Sequence, residues 1–358
     1  MMRFFMTAAA IAMAVATAPR AGAAPGPKPV APQRVLFVGN GFTSTNNLPS
    51  MVTLMVASRK QTLQTEMLAV PAATLGVHAA NPAVAKNITS ASVHWDHVVL
   101  QDRSDIPVQT PTVTLVEGNK LCDIVKKVGA KPVFFLTWAY RGKGDGKGAG
   151  VPAGMDEEMQ NTLNLAYCAV AKANDARLAP VGPAWQAVLA KDPKAPLYAA
   201  DGQQPSQDGS YLAACVFYAL FTGQSPVGLP AKIAEQKGAK RRVLADVTST
   251  RAKLYQQTAW DTVQNVTLET LLAEDAKKDA ASPTVEEAKA RLKKGMTIND
   301  AAKALDAQPV QRNDADGVYA FRLRNHTRLW LNCGKGGVIT SYSAGPENGL
   351  RGIEVGLK

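Results

Sequence analysis

Residues 34–39, RVLFVG, are a continuous apolar run that breaks on Gly39-Asn40-Gly41, and a helical pattern opens a few residues later. A run of this kind is suited to a strand buried on both faces of a parallel sheet. HVVLQ (97–101) and KPVFFLTWA (131–139) repeat it, and ARLAPVG (176–182) and LYAAD (197–201) are weaker versions. Helical spacing fills the intervals in LPSMVTLMVASRK, TPTVTLVEGNKLCDIVKKVG and DEEMQNTLNLAYCAVAKAN, then in GSYLAACVFYALFTG and RAKLYQQTAWDTVQNV (251–266). The alternation predicts a three-layer α/β/α domain over 33–265, with a parallel sheet of about five strands. Ligands of such sheets bind at the carboxyl ends of the strands. The pieces GNG, LQDRS and DGQQ all begin there.

The pattern then changes. EDAKKDAASP (274–283) is polar and ends in proline, which reads as part of a linker over 266–283. Residues 284–358 read as a small α+β domain. It has two short helices, with a capping box at Thr284–Glu287 and a looser cap at Thr297–Asp300. Three short strands follow, in GVYAFRLR, TRLWLNC and GVITSYS. RGKGDGKGAGVPAG (141–154) reads as a glycine-rich cover over the strand ends and lacks the spacing of a phosphate-binding loop.

Arg3, the apolar stretch FFMTAAAIAMAVATA and the small residues around Ala23 read as a signal peptide over 1–23. The expectation is an exported bacterial protein, periplasmic or extracellular, with no transmembrane segment after cleavage. Its formal charge of +11 is spread over blocks such as AKRR (239–242) and RLKK (291–294) without interleaved aromatics. That favours a solvated basic surface over a specific nucleic-acid groove. Cys122, Cys168, Cys215 and Cys333 have no CxxC spacing, and the first three sit in apolar helical runs. They read as small buried thiols rather than metal ligands, and no metal or other cofactor is expected.

Six segments in order resemble the SGNH (GDSL-type) hydrolases, in particular a secreted bacterial branch. They are FVGNGFTSTNNLP, AVPAATLGVHA (69–79), WDHVVLQDRS (95–104), PVFFLTWAYR, the 159–186 segment and LYAADGQQPSQDGSYLAACVFYALFTGQSPVG. The resemblance covers roughly 33–265 and implies a flavodoxin-like α/β/α fold. It also implies acyl transfer to a serine after the first strand, activated by the histidine of a DxxH motif and oriented by its aspartate. Here the serine position holds Gly41, the histidine position Gln204 and the aspartate position Asp201. Glycine has no nucleophile and glutamine no titratable nitrogen. The oxyanion positions are better kept: the Gly41 N–H, the Gln101 amide, and a backbone N–H near Ala72, where the family has glycine.

Three functions compete. The first is a catalytically degenerate homologue that binds a carbohydrate, ester or anionic ligand in the vestigial site, with Trp138, Tyr140 and Arg141 along the cleft. The second is an esterase with a relocated nucleophile, Ser44 with His78. The third is an envelope protein that engages a partner through 284–358, which an exposed apolar face on that region would favour. Whether the chain is an enzyme is left open by the residues alone. Ser206 reads as a helix cap, His97 as the start of a strand, and His326 as lying between strands.

Overall fold

A computed structural model of the chain describes residues 32–141, 156–293, 295–307, 309, 311–313, 317–334 and 337–346. The segment expected as a signal peptide and most of the glycine-rich stretch 141–154 lie outside them. β1 (Gln33–Gly39) leads through a single turn, α1 (Gly41–Ser44), to α2 (Leu48–Ser58) and then β2 (Leu63–Ala69). Two short helices, α3 (Leu75–Ala79) and α4 (Pro82–Ile88), precede β3 (His97–Leu100). Next come α5 (Asp105–Gln109), α6 (Pro111–Lys127), β4 (Lys131–Phe135), α7 (Asp156–Ala173) and β5 (Arg177–Ala179). The strands form one parallel sheet in the order β2-β1-β3-β4-β5, with Val35 opposite His97 and Gly39 opposite Ala69. After β5 come α8 (Val181–Lys191), α9 (Gln207–Thr222), a β6 (Lys232–Lys237)–β7 (Lys240–Asp246) hairpin and α10 (Ser249–Asn265). The AKRR block lies in this hairpin.

Helices flank the sheet in two groups. α2, α8, α9 and α10 pack together, and α3 to α7 form the other group. Every residue of β1 from Val35 to Val38 is buried, as its continuous apolar run requires. α9 is apolar nearly all round and is buried from Asp208 to Phe221, the position of a helix enclosed between layers. Phe217 meets Phe37 edge-on at 5.1 Å and Phe135 at 5.0 Å. Cys122, Cys168 and Cys215 are buried free thiols, and burial pushes Cys122 up to about 12.

The fifth strand is not LYAAD. Residues 197–201 make only an isolated bridge from Tyr198 to Pro205, and the edge position belongs to β2. LQTEMLA carries polar residues on an exposed side, so it shows no continuous apolar run.

The segment expected as a linker is mostly helix. α11 (Leu268–Ala281) starts at a capping box between Thr267 and Thr270 and docks beside α7, with Leu271 in the main core. α12 (Val285–Arg291) and α13 (Ile298–Leu305) both open on reciprocal capping boxes, at Thr284–Glu287 and Thr297–Asp300. They accompany an antiparallel sheet of four strands, one more than expected: β8 (Gln311–Asn313), β9 (Val318–Leu323), β10 (Thr327–Cys333) and β11 (Ile339–Pro346). Its apolar cluster, with Phe321, Leu329 and Leu331 fully buried, is separate from the main one.

The two units meet through α11 and the β9–β10 turn. Arg322 bonds Asp275 at 2.6 Å, and the Asn325 and His326 amides donate to Asp279 at 3.0 Å each. The Arg324 guanidinium donates to the Ala280 and Ser282 carbonyls at the end of α11, where a cation is favoured. Arg322→Ala removes one partner of a buried ion pair, so a loss of about 3–5 kcal/mol is expected, concentrated in this contact. Hydrogen exchange should show faster opening of 284–346 with the parallel sheet still protected. Unchanged protection would contradict the assignment.

Candidate functional site

The site is built on the carboxyl end of β1. Asn40 caps the turn that follows: its Oδ1 accepts the Phe42 N–H at 3.1 Å. Its Nδ2 donates to the Ala73 carbonyl at 2.9 Å, which holds the 70–74 loop beside Gly41. α1 lasts one turn because Asn46 and Asn47 both take left-handed φ, 55° and 51°, a conformation asparagine tolerates better than most residues. The long helix α2 therefore starts at Leu48, and its dipole is not delivered to Gly41 as a continuous helix would deliver it. Asn46 Nδ2 donates to the Ser206 carbonyl and the Ser210 hydroxyl, both at 3.0 Å, and ties this loop to the start of α9. The sequence reading overlooked this pair, although two asparagines before Leu-Pro are a signal for a left-handed break.

Gly41 and Gln204 touch. A Cβ built on Gly41 would lie 2.9 Å from Gln204 Oε1 and 3.1 Å from its Nε2. The glutamine amide thus fills the space that a side chain at 41 would need. The Gly41 backbone lies outside the left-handed region, unlike Gly202 at φ +70°. Its glycine is therefore matched to Gln204 and is not demanded by the backbone. Thr45 Oγ1 donates to Gln204 Oε1 at 3.3 Å. Asp201 is exposed, and its Oδ1 accepts the Gln203 and Gln204 amides, each at 2.9 Å, so that it shapes the loop bearing Gln204. Gly202 sits where a Cβ would come within 2.7 Å of the Arg141 carbonyl. Arg141 is exposed beside this loop, 4.8 Å above the Tyr198 ring.

Two expected ligand contacts have other work. Gln101 is fully buried: its Oε1 accepts the Asn40 N–H and the Thr43 hydroxyl, both at 2.9 Å, and its Nε2 donates to the Asp102 carbonyl. The oxygen and one of the two amide N–H groups are engaged, so it braces the β1 turn. Trp138 is 1% exposed, stacks on Trp185 at 4.1 Å and donates to the Gln203 carbonyl. It supports the Gln204 loop from within the core, and Tyr140 is likewise buried. Ala72 is exposed at φ 57°, the conformation that explains a glycine preference at its position. Among the described residues no acceptor takes the Gly41 or Ala72 N–H.

The alternative catalytic pair is not assembled. His78 is buried, and its Nε2 meets the Gly39 carbonyl at 2.8 Å, which makes that nitrogen the donor. Burial lowers its pKa, and the bond to Gly39 opposes the shift only in part. Ser44 makes no side-chain cap bond. Ser206 caps α9 by accepting the Gly209 N–H at 3.2 Å, and its hydroxyl donates to the Pro196 carbonyl. His97 opens β3 against the Phe221 ring, and burial, followed by the Arg177 charge, lowers it to about 4. Among the described residues no group of three metal-ligating side chains converges.

Asp102 is the group that sequence reasoning missed. It is 1% exposed and accepts from the Leu75 N–H (3.1 Å), the Arg103 N–H (2.9 Å) and the Thr114 hydroxyl (2.9 Å). Burial raises it to about 6, against the pull of these three donors. It joins β3 to α3 and α6 directly behind the site loops.

No family profile and no curated protein matches the chain. Solved structures do. A candidate SGNH hydrolase from Slackia heliotrinireducens is 29% identical over 52% of this chain and 98% of its own, with a TM-score of 0.43. A DUF4886 family protein from Bacteroides uniformis is 15% identical over 67% of this chain and 99% of its own, with a TM-score of 0.53. A catalytic mutant of an acetylxylan esterase from Geobacillus stearothermophilus is 15% identical over 55% and 96%, with a TM-score of 0.39. What this chain shares with the Bacteroides protein is the fold, a parallel five-stranded sheet flanked by helices.

Proposed function

We propose that this is an exported, catalytically degenerate member of the esterase fold, which binds an ester-bearing or anionic carbohydrate in the former acyl-transfer site. The observation that carries the reading is the Gly41–Gln204 contact. A glutamine amide lies 2.9 Å from where a Cβ at 41 would be, so the nucleophile and base positions both hold groups without acyl-transfer chemistry. The groups that remain suit binding. The Gly41 and Ala72 amides are free to donate, the Gln204 amide offers a donor and an acceptor, and Arg141 supplies an exposed cation. Sugar esters are the ligand class by analogy with the acetylxylan esterase neighbour, and a shared fold alone does not fix a ligand.

The reading through residues 284–358 finds less support. Among the described residues the exposed large hydrophobics are Met67, Val70, Val77, Val113, Val116, Val227 and Val243, all outside that unit.

The test is calorimetric titration with acetylated and deacetylated xylo-oligosaccharides, with the products examined for released acetate. Saturable binding of the acetylated form without acetate release is expected. Gln204→Ala should weaken it by about tenfold, the worth of one hydrogen bond to a desolvated partner. Equal affinity for both forms, or insensitivity to Gln204→Ala, would refute the proposal.

A further inference from the structure

We infer that the cavity at the opposite end of the sheet is a second binding site, for a small ring compound that carries a phosphate or carboxylate. The cavity has a volume of about 680 Å³, within the range of small-molecule sites. It lies between the turn after α2, the end of α9, and Trp260 of α10. Residues 59–61 precede the first residue of β2, whereas Gly41 follows the last residue of β1. In a parallel sheet these are opposite ends, so the two sites are separate.

The lining is one-sided in charge. Arg59 and Lys60 both contribute, and no carboxylate does. The Arg59 guanidinium is anchored by one bond, from Nη2 to the Val227 carbonyl at 2.8 Å, which leaves the rest of its donor fork available. Lys60 is exposed; its backbone N–H closes the turn on the Ala57 carbonyl, and its ammonium forms no hydrogen bond or ion pair among the described residues. Its backbone sits at φ 57°. That costs a non-glycine residue on the order of 1 kcal/mol, a cost glycine or asparagine would lessen at a turn. A lysine held there suits a role for its ammonium. The half-buried Trp260 adds aromatic surface above the fully buried Tyr218, and Ser225 adds a hydroxyl. Two cations beside aromatic surface recognise an anion attached to a ring: the charges take the anion, and the indole face takes the flat apolar part. The same cations also lie near the carbonyl ends of α2 and α9, which they would complement without any ligand. The experiment separates the two roles.

The full chain is titrated calorimetrically with phenyl phosphate and glucose 6-phosphate, with benzyl alcohol and glucose as their neutral counterparts, and with inorganic phosphate. Saturable binding of at least one ring phosphate is expected, about tenfold or more tighter than its neutral counterpart and than inorganic phosphate. Which of the two binds tells an aryl ligand from a sugar. Lys60→Glu should weaken binding by at least about tenfold, and Trp260→Leu should weaken the ring compounds but not inorganic phosphate. Gly41→Ser with Gln204→His should leave it unchanged, which distinguishes this site from the one proposed above. Equal binding of charged and neutral probes would overturn the proposal, as would no saturation by any of them. Loss of thermal stability in Lys60→Glu without loss of affinity would assign the cations to helix capping and overturn it too.

Discussion

Gly41→Ser combined with Gln204→His is expected to hydrolyse p-nitrophenyl acetate about 10² to 10⁴ times faster than either single variant, the range a positioned general base supplies. The geometry makes the pair interdependent. A side chain at 41 would press on the Gln204 amide at 2.9 Å, so serine alone must displace a group that cannot take its proton. Histidine alone has nothing to activate. Together they restore a hydroxyl beside an imidazole, on a loop that Asp201 already shapes and from which it can orient the ring. Members of such a unit act non-additively, so the double variant should exceed the product of the single effects. Activity should still fall short of an intact enzyme. One N–H of the fully buried Gln101 amide is spent on the Asp102 carbonyl, and an oxyanion donor lost or misaimed costs about 10² to 10³ in kcat. Steady-state kinetics on the four proteins, with folding checked by circular dichroism, decides this. A double variant no faster than the faster single would refute it.

The largest expected effect on stability is at Asp102. Asp102→Ala strips the acceptor from two backbone amides and the Thr114 hydroxyl in a buried pocket, a loss of about 3–5 kcal/mol. Asp102→Asn should be far milder. Its Oδ1 can accept both amides, and its Nδ2 can donate to the Thr114 hydroxyl, which is able to accept. The two variants also differ from the natural protein in pH dependence. The folded carboxyl holds its proton up to about 6, against an ordinary value of 3.8 when unfolded. Between these values the folded state binds more protons, so this group makes stability fall as pH rises from about 4 to about 6, by up to roughly 3 kcal/mol, and levels off above. Urea unfolding across that window should show the slope in the natural protein and lose most of it in Asp102→Asn. An unchanged slope would assign it to other groups.

The central strands were legible because burial on both faces leaves an unbroken apolar run, as in RVLFVG and HVVL. β2 was not, because an edge strand with one exposed side shows the weaker pattern of LQTEMLA. α11 looked like a linker because its apolar face is only a few leucines wide. Its capping box also ends in Thr270, outside the Glu or Gln signature. At the site, the order of segments located Gly41 and Gln204, and the structure brings them into contact. Side-chain direction was out of reach. The residue type of Gln101 does not say that both ends of its amide turn inward, nor does Trp138 announce a stacking partner at 185. Asp102 was overlooked because a lone aspartate after a strand carries no pattern. Its importance comes from three donors that the fold delivers from two other elements and its own loop.

The central claim is that the natural chain cannot carry out serine acyl transfer, and fluorophosphonate labelling followed by intact-mass analysis and peptide mapping tests it most directly. The account predicts no phosphonylated serine, and no ester turnover above the level of the Gln204→Ala variant. A stoichiometric adduct on Ser44, together with turnover abolished by Ser44→Ala or His78→Ala, would contradict it and establish a relocated catalytic site.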